Sequence, residues 1–323
     1  MMKKIAAAIL SAVLAVSALP VNRSSAASDY QFSYVVVEGG IKITEGVGSG
    51  EKLEIPSEYE GCTVVAIGDN AFDGMSGLTT VVIPDTVKSI GSKAFFSCSK
   101  LESLTIGNGT TAIGDSAFSG CLSLDRVTLP DSVETLGKSC FTGCLKLESV
   151  RLSDNIKAVP ENCFSACTSL ASLSIPDSVT VVGANAFYSC GELSMIYVPP
   201  TVTEIGDNSI GRRYDTISAS FANISGFTIA CEKDSAAYTY AEELGITIAD
   251  TADYIGGDAD LNGKLLTDDA LLVLDEYKSV ASGKLPSFSG LQVHLADLDG
   301  DNSVTAIDAA LILRKYSETQ SGT

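Results

Sequence analysis

Apolar residues return along the middle of the chain at a fixed step of 23 positions. Phe72, Phe95, Phe118, Phe141, Phe164 and Phe187 keep that step without a slip. Leu78, Leu101, Leu124, Leu147, Leu170 and Leu193 form a second column, and Ile83, Ile106, Leu129, Leu152, Ile175 and Val198 a third. A glycine column, Gly68, Gly91, Gly114, Gly137, Gly183 and Gly206, has Pro160 as its exception. Within one unit, alternation over Leu124 to Leu129 predicts a short strand, Pro130 stops it, and Cys140-Phe141 predicts a compact helical turn. A lone unit cannot bury these columns, whereas stacked units can, so the predicted architecture is a solenoid. About seven coils at the ~4.8 Å spacing of paired strands make a rod roughly 30 to 35 Å long.

The first 27 residues follow another pattern. Lys3 and Lys4 are basic, Ile5 to Ala18 is apolar, and Ser25-Ala26-Ala27 offers small residues for cleavage, which predicts a secretory signal. The apolar run is shorter than the ~20 residues a spanning helix needs, and no second one follows, so the mature chain is expected to lack a membrane span. No Cys lies near the cleavage site, so a lipid anchor is not expected.

The stretch Ile83 to Leu101 reads Ile-Pro-x-x-Val-x-x-Ile-Gly-x-x-Ala-Phe-x-x-Cys-x-x-Leu. It resembles the BspA-type leucine-rich repeats of bacterial surface proteins. The resemblance implies a β-cap over residues 28–63, with Tyr34 to Val37 and Ile41 to Ile43 as strands, a repeat solenoid over 64–211, and a C-terminal cap over 212–250 with one helix. Caps are physically required, because an open end would expose a sheet edge and the core.

Solenoids bind through their strand face. Its outward places carry mostly small hydroxyls, among which Arg126, Arg151, Met195 and Tyr197 stand out as candidate ligand-binding residues. Asp85, Asn108, Asp131, Asp154 and Asp177 also keep register, and one such residue after each strand reads as turn chemistry. Five cysteines, Cys98, Cys121, Cys144, Cys167 and Cys190, share one column, and Cys140 and Cys163 share the column before the Phe. They read as small buried residues in a ladder. Disulfides between neighbouring coils, whose Cα atoms lie within ~5 Å, are the alternative in a secreted chain.

After a linker over 251–256 the composition changes. Asp258 to Asp269 aligns with Asp297 to Asp308, 39 residues further on. Oxygens at places 1, 3, 5 and 12 and the carbonyl at place 7 suit a hard cation that takes six to eight oxygen ligands. The candidate ligands are Asp258, Asp260, Asn262, Lys264 and Asp269 in one loop and Asp297, Asp299, Asp301, Ser303 and Asp308 in the other, for two Ca2+. Gly263 and Asn302 occupy the sixth place, which needs a left-handed backbone. Leu266 at place 9 of the first loop replaces the usual polar residue, which predicts weaker binding there.

An apolar helix follows each loop, place 12 is Asp rather than Glu, and no long helix precedes either loop. These features resemble the type I dockerins of cellulosome components. The resemblance implies a small all-α, calcium-binding dockerin over 257–318, followed by a tail over 319–323, whose partner is a cohesin domain of a scaffoldin. By the same resemblance, cohesin contact falls on Thr267, Asp268, Ala306, Ile307, Arg314 and Lys315. The two halves differ at these places, so one docking orientation is expected. The fold class expected is therefore mainly β, a leucine-rich-repeat solenoid plus this small helical domain.

Charge and composition narrow the function. The 323 residues hold 21 Lys+Arg against 40 Asp+Glu, a formal charge of −19, which argues against nucleic-acid binding. The dockerin-like segment carries 11 acids and 5 bases, so two Ca2+ would neutralise much of its excess. There is one His, His294, between the two loops, so no Ser-His-Asp triad can form in the repeats. No insertion breaks the 23-residue step to build a cleft for paired carboxylates. The protein is expected to be a secreted, extracellular, cellulosome-associated binding subunit and not an enzyme, with a protein or glycan on its repeat face. The absence of Trp leans towards protein. The alternatives are an adhesin or inhibitor acting on host or competitor proteins and, less favoured, a glycoside hydrolase or esterase.

Overall fold

The computed structural model describes residues 30–282, 287–301 and 303–321. The candidate leader over 1–27 and Asn302 lie outside them. Nine short strands succeed one another along the axis, at Lys52–Glu54, Thr80–Val82, Ser103–Thr105, Arg126–Thr128, Ser149–Arg151, Ser172–Ser174, Met195–Tyr197, Thr228–Cys231 and Thr247–Asp250. They pair in parallel as three consecutive three-stranded sheets, with Thr80 opposite Ser103 and Arg126 opposite Ser149, each one repeat apart. Nine coils stand where seven were expected, because the C-terminal cap adds two strands to the stack.

The N-terminal end is closed by an antiparallel hairpin, Tyr30–Val37 with Gly40–Gly48, whose second strand pairs in parallel with Cys62–Ile67. At the other end an antiparallel hairpin, Arg212–Asp215 with Ser220–Asn223, interrupts the period, and helix α1 (Ala236–Leu244) covers the last coils. Ser235 accepts the Tyr238 N–H at 3.2 Å to start α1, and Gly245 at φ 64 ends it.

The Phe stretch is not the compact helical turn expected. Residues two before the Phe, such as Lys93, Ser116 and Asn162, and two after it, such as Ser97 and Ala166, all have positive φ. Left-handed residues so spaced cannot continue a right-handed helix. The backbone instead alternates its bonds. Cys98 N–H returns to Phe95 O within the coil, while Phe95 N–H reaches Ala117 O of the next at 2.8 Å. The six Phe rings consequently stack in one ladder, with centroids 5.0 to 5.7 Å apart and planes within 9°.

The cysteine ladder runs beside it. All nine cysteines are free. Cys98, Cys121, Cys144, Cys167 and Cys190 each aim the thiol at the Phe carbonyl of the preceding coil, at 3.2 to 3.4 Å. A thiol thus fills a methyl-sized space and also satisfies a buried carbonyl. Burial pushes the Cys98 thiol up to about 12. The register Asp residues also work between coils, since Asp85 accepts the Asn108 N–H at 2.6 Å.

The glycine column marks the tightest approach between coils. A Cβ on Gly137 would lie 2.3 Å from Asp115 N and from Gly114 C. Gly137→Ala is expected to cost about 1–3 kcal/mol as the coils part, read from the urea midpoint. Pro160 holds the equivalent place one coil on, and nothing in the structure explains why it is accommodated.

Candidate functional site

Three helices follow the solenoid, α2 (Thr267–Ala281), α3 (Gly290–Ala296) and α4 (Ala306–Ser321). Their core is Ala259, Ala270, Val273, Phe288, Ala296, Ala309 and Ile312, separate from that of the repeats. Each acidic loop enters a helix through its twelfth residue. Asp269 accepts the N–H of Ala259 at 3.0 Å and of Leu266 at 2.7 Å, and Asp308 accepts those of Leu298 at 2.9 Å and Thr305 at 2.8 Å. The first residue closes the other side, since Asp258 accepts the N–H of Asn262 at 3.1 Å and Asp297 that of Asp301 at 3.1 Å.

These bonds gather carboxylates. Asp258, Asp260 and Asp269 bring one oxygen each within 4.8 Å of one another, as do Asp297, Asp299 and Asp308. Asp258, Asp269 and Asp308 are fully buried. Burial is the main effect that pushes the Asp258 carboxyl up. An all-oxygen cluster with buried carboxylates fits a hard divalent cation, which would offset both burial and mutual repulsion. Asn262, Lys264, Asp301 and Ser303 sit in the same loops, with Lys264 N–H on Asn262 Oδ1 and Ser303 N–H on Asp301 Oδ1, both at 2.9 Å.

Sequence reasoning placed the left-handed residue at the sixth loop position. Gly263 has φ 79, as expected, but the fourth position is left-handed as well, at Gly300 with φ 74 and Leu261 with φ 61. The glycine at 300 carried that signal; a leucine hides it.

Thr267, Asp268, Ala306, Ile307 and Arg314 are exposed on the outside of α2 and α4. Leu271 and Leu313 on the same two helices are also exposed. Lys315 is half-buried and donates to Gly256 O at 2.7 Å, tying α4 to the linker.

The repeat face is partly covered by this helical module. Tyr197 is only 3% exposed, because it lies with Ala230 against Leu291 and Leu295 of α3. Its ring stacks on His294 with centroids 3.9 Å apart. Burial lowers the His294 pKa against the opposing charges of Asp177 and Glu232. Met195 packs at the margin of the same cluster. Arg151 bridges Asp131 at 3.0 Å and Asp154 at 3.2 Å, and its hydrogen bond holds Asp131 below the ordinary carboxyl range. Burial pushes Asp154 up in spite of Arg151. Arg126 and Arg151 line a cavity of about 420 Å³ roofed by Val280, Phe288, Val293 and Val304 of the module. The four candidate ligand residues therefore share one face, two of them beside a cavity and two at or beneath a helix. No spacing rule connects residue 197 to residue 294, so sequence reasoning missed this contact.

The 23-residue strand-and-turn unit, its stacked Phe ladder and its capped ends define a leucine-rich-repeat solenoid. The BspA-type leucine-rich repeat region matches in six copies over residues 49–110 and 90–213, and the chain belongs to that family. Its repeat array is an interaction scaffold, a fold that does not typically carry catalysis. A leucine-rich repeat protein of T. pallidum is 30% identical, over 50% of this chain and 87% of that one, with a TM-score of 0.42. A leucine-rich cell-surface protein of Faecalibacterium prausnitzii is 24% identical over 67% and 71%, TM-score 0.41. A leucine-rich repeat protein from Bacteroides ovatus is 22% identical over 72% and 68%, TM-score 0.36. A comparison with curated proteins gave no match. Among the described residues no helix is long and apolar enough to cross a membrane.

Proposed function

We propose that the protein is a secreted, non-catalytic binding subunit. Its C-terminal module, residues 257–318, is a dockerin that holds two Ca2+ and docks on a cohesin domain of a scaffoldin, in a polysaccharide-degrading cellulosome. The repeat face serves a protein or glycan ligand. The observation that supports this most is the duplication of one carboxylate arrangement, Asp258/Asp260/Asp269 and Asp297/Asp299/Asp308, each leading into an apolar helix. Asn262, Asp301 and the carbonyls of Lys264 and Ser303 would complete the two ligand sets. Bound Ca2+ would supply the charge that holds each loop closed. The exposed Leu271, Ile307 and Leu313, with Thr267, Asp268, Ala306 and Arg314 on the same two helices, form a surface suited to a protein partner.

Two calcium ions are expected to bind the EDTA-treated chain by calorimetry. Cohesin binding is expected to vanish in EDTA and return with calcium, since metal and folding are linked in such loops. Cohesin binding that persists in EDTA would refute the reading.

A further inference from the structure

Helix α3 makes the principal contact with the repeat face, and it is held by the first acidic loop. Gln292 Nε2 donates to Ala259 O at 2.9 Å, and the Gly257 N–H donates to Leu295 O at 2.7 Å. Leu261, inside that loop, packs in the same cluster as Tyr197, Leu291 and Leu295 while its backbone stays left-handed at φ 61. A leucine is strained in that region, because its Cβ crowds the following carbonyl. Its packing against the repeats is what the structure sets against that strain.

The second loop meets the array through charge. Ser303 lines the cavity beside Arg151. Asp154 lines that cavity too, and Asp131 lines a neighbouring one with Ser303, so the second loop and these two carboxylates face common space. The loop carries Asp297, Asp299, Asp301 and Asp308, and the face with which its Ser303 shares the cavity holds Asp131 and Asp154 around one Arg151.

We propose that metal occupancy of the two loops decides whether the repeat face is covered. In the loaded chain α3 sits on the strands at 172–174 and 195–197; in the emptied chain it leaves, baring Met195 and Tyr197 and opening the cavity. This rests on reading the loops as calcium sites. Both loops act in the same direction. A divalent cation in the second lowers its repulsion with Asp154 and Asp131. One in the first fixes Ala259 and Leu261, and through them α3. The occupant of the repeat face is then the chain's own C-terminal module, and an outside ligand competes with it.

The test combines calcium calorimetry on the full chain with hydroxyl-radical footprinting of Tyr197, in EDTA and in millimolar calcium. Two ions are expected to bind, and Tyr197 modification to fall at least ~10-fold with calcium, equivalent to a shift of about 1.4 kcal/mol. His294→Asp sets a carboxylate beside Asp177 and Glu232, and is expected to leave Tyr197 as reactive in calcium as the wild type is in EDTA, with both ions still bound. Should that variant misfold, His294→Ala, which only removes the stacked ring, is expected to raise Tyr197 reactivity in calcium part of the way. Calcium binding with unchanged Tyr197 reactivity overturns the inference and leaves the calcium reading standing. Absence of calcium binding overturns both.

Discussion

Raising the pH from 8 to 10 is expected to remove on the order of 10 kcal/mol from the stability of the repeat array. The cause is the thiol ladder. Burial raises Cys98, Cys121, Cys140, Cys163 and Cys190, and Cys144 is raised first by its hydrogen bond with Cys167 and then by burial. Unfolded thiols ionise near pH 8.5, so above that pH the unfolded chain binds fewer protons than the native one and stability falls. Below it the contribution is fully present. By pH 10 each thiol accounts for about 2 kcal/mol, and a domain has only about 5–15 in total. Urea unfolding under reducing conditions at pH 7, 8.5 and 10 checks this. A midpoint that holds to pH 10 would sink it. Replacing Cys140 and Cys163 by Ala, the residue other coils carry at that place as Ala94 and Ala117, is expected to flatten the pH dependence of the array by roughly a third, since they are two of the six raised thiols in its columns.

Phe141→Ala is expected to cost about 3–5 kcal/mol, at the upper end of single substitutions. Phe141 is fully buried and stacks on both Phe118 and Phe164. Its loss leaves a cavity and two unpaired ring faces. Phe187 stacks on Phe164 alone within the ladder, so Phe187→Ala is expected to cost about 1 kcal/mol less. Because each coil contacts only its neighbours, the mid-array variant is also expected to broaden the urea transition as the two halves uncouple. Equal effects at the two sites would refute the ladder as a source of stability.

The period, the inward columns and the strand positions were legible because burial in a solenoid is local. A Phe every 23 residues can only be satisfied by the same Phe one coil away. The turn around each Phe was misjudged as helical because Ala-Phe followed by Cys carries helix-compatible side chains; the sign against it was in the flanking columns, where Asn70, Asn162 and Asn185 and Gly74, Gly120 and Gly143 favour positive φ. The hairpin at 212–223 was illegible for a related reason, since it breaks the period instead of repeating it. At the acidic loops, the carboxylates could be read from spacing, but the left-handed Leu261 could not. Its conformation is held by tertiary packing that no local pattern encodes. The same holds for Tyr197. Its place on the strand face follows from the repeat, whereas its cover comes from a helix almost a hundred residues away.

The docked helix pins one end of the solenoid, while the other carries only its closing hairpin. Helix α3 meets the coils at the strands 172–174 and 195–197, where it covers Tyr197, and the second acidic loop faces cavities lined by Thr105, Arg151 and Ser174. Coils nearer the N-terminus are joined to their neighbours by backbone bonds and the Phe stack, and the first of them to the closing hairpin, where Phe32 packs on Phe72. Whole 23-residue units could therefore be gained or lost on that side by unequal recombination while the helical contact keeps its register. A unit lost between residues 150 and 197 would instead carry half the contact with it. Repeat number in this architecture is thus open to evolutionary drift at one end and pinned at the other.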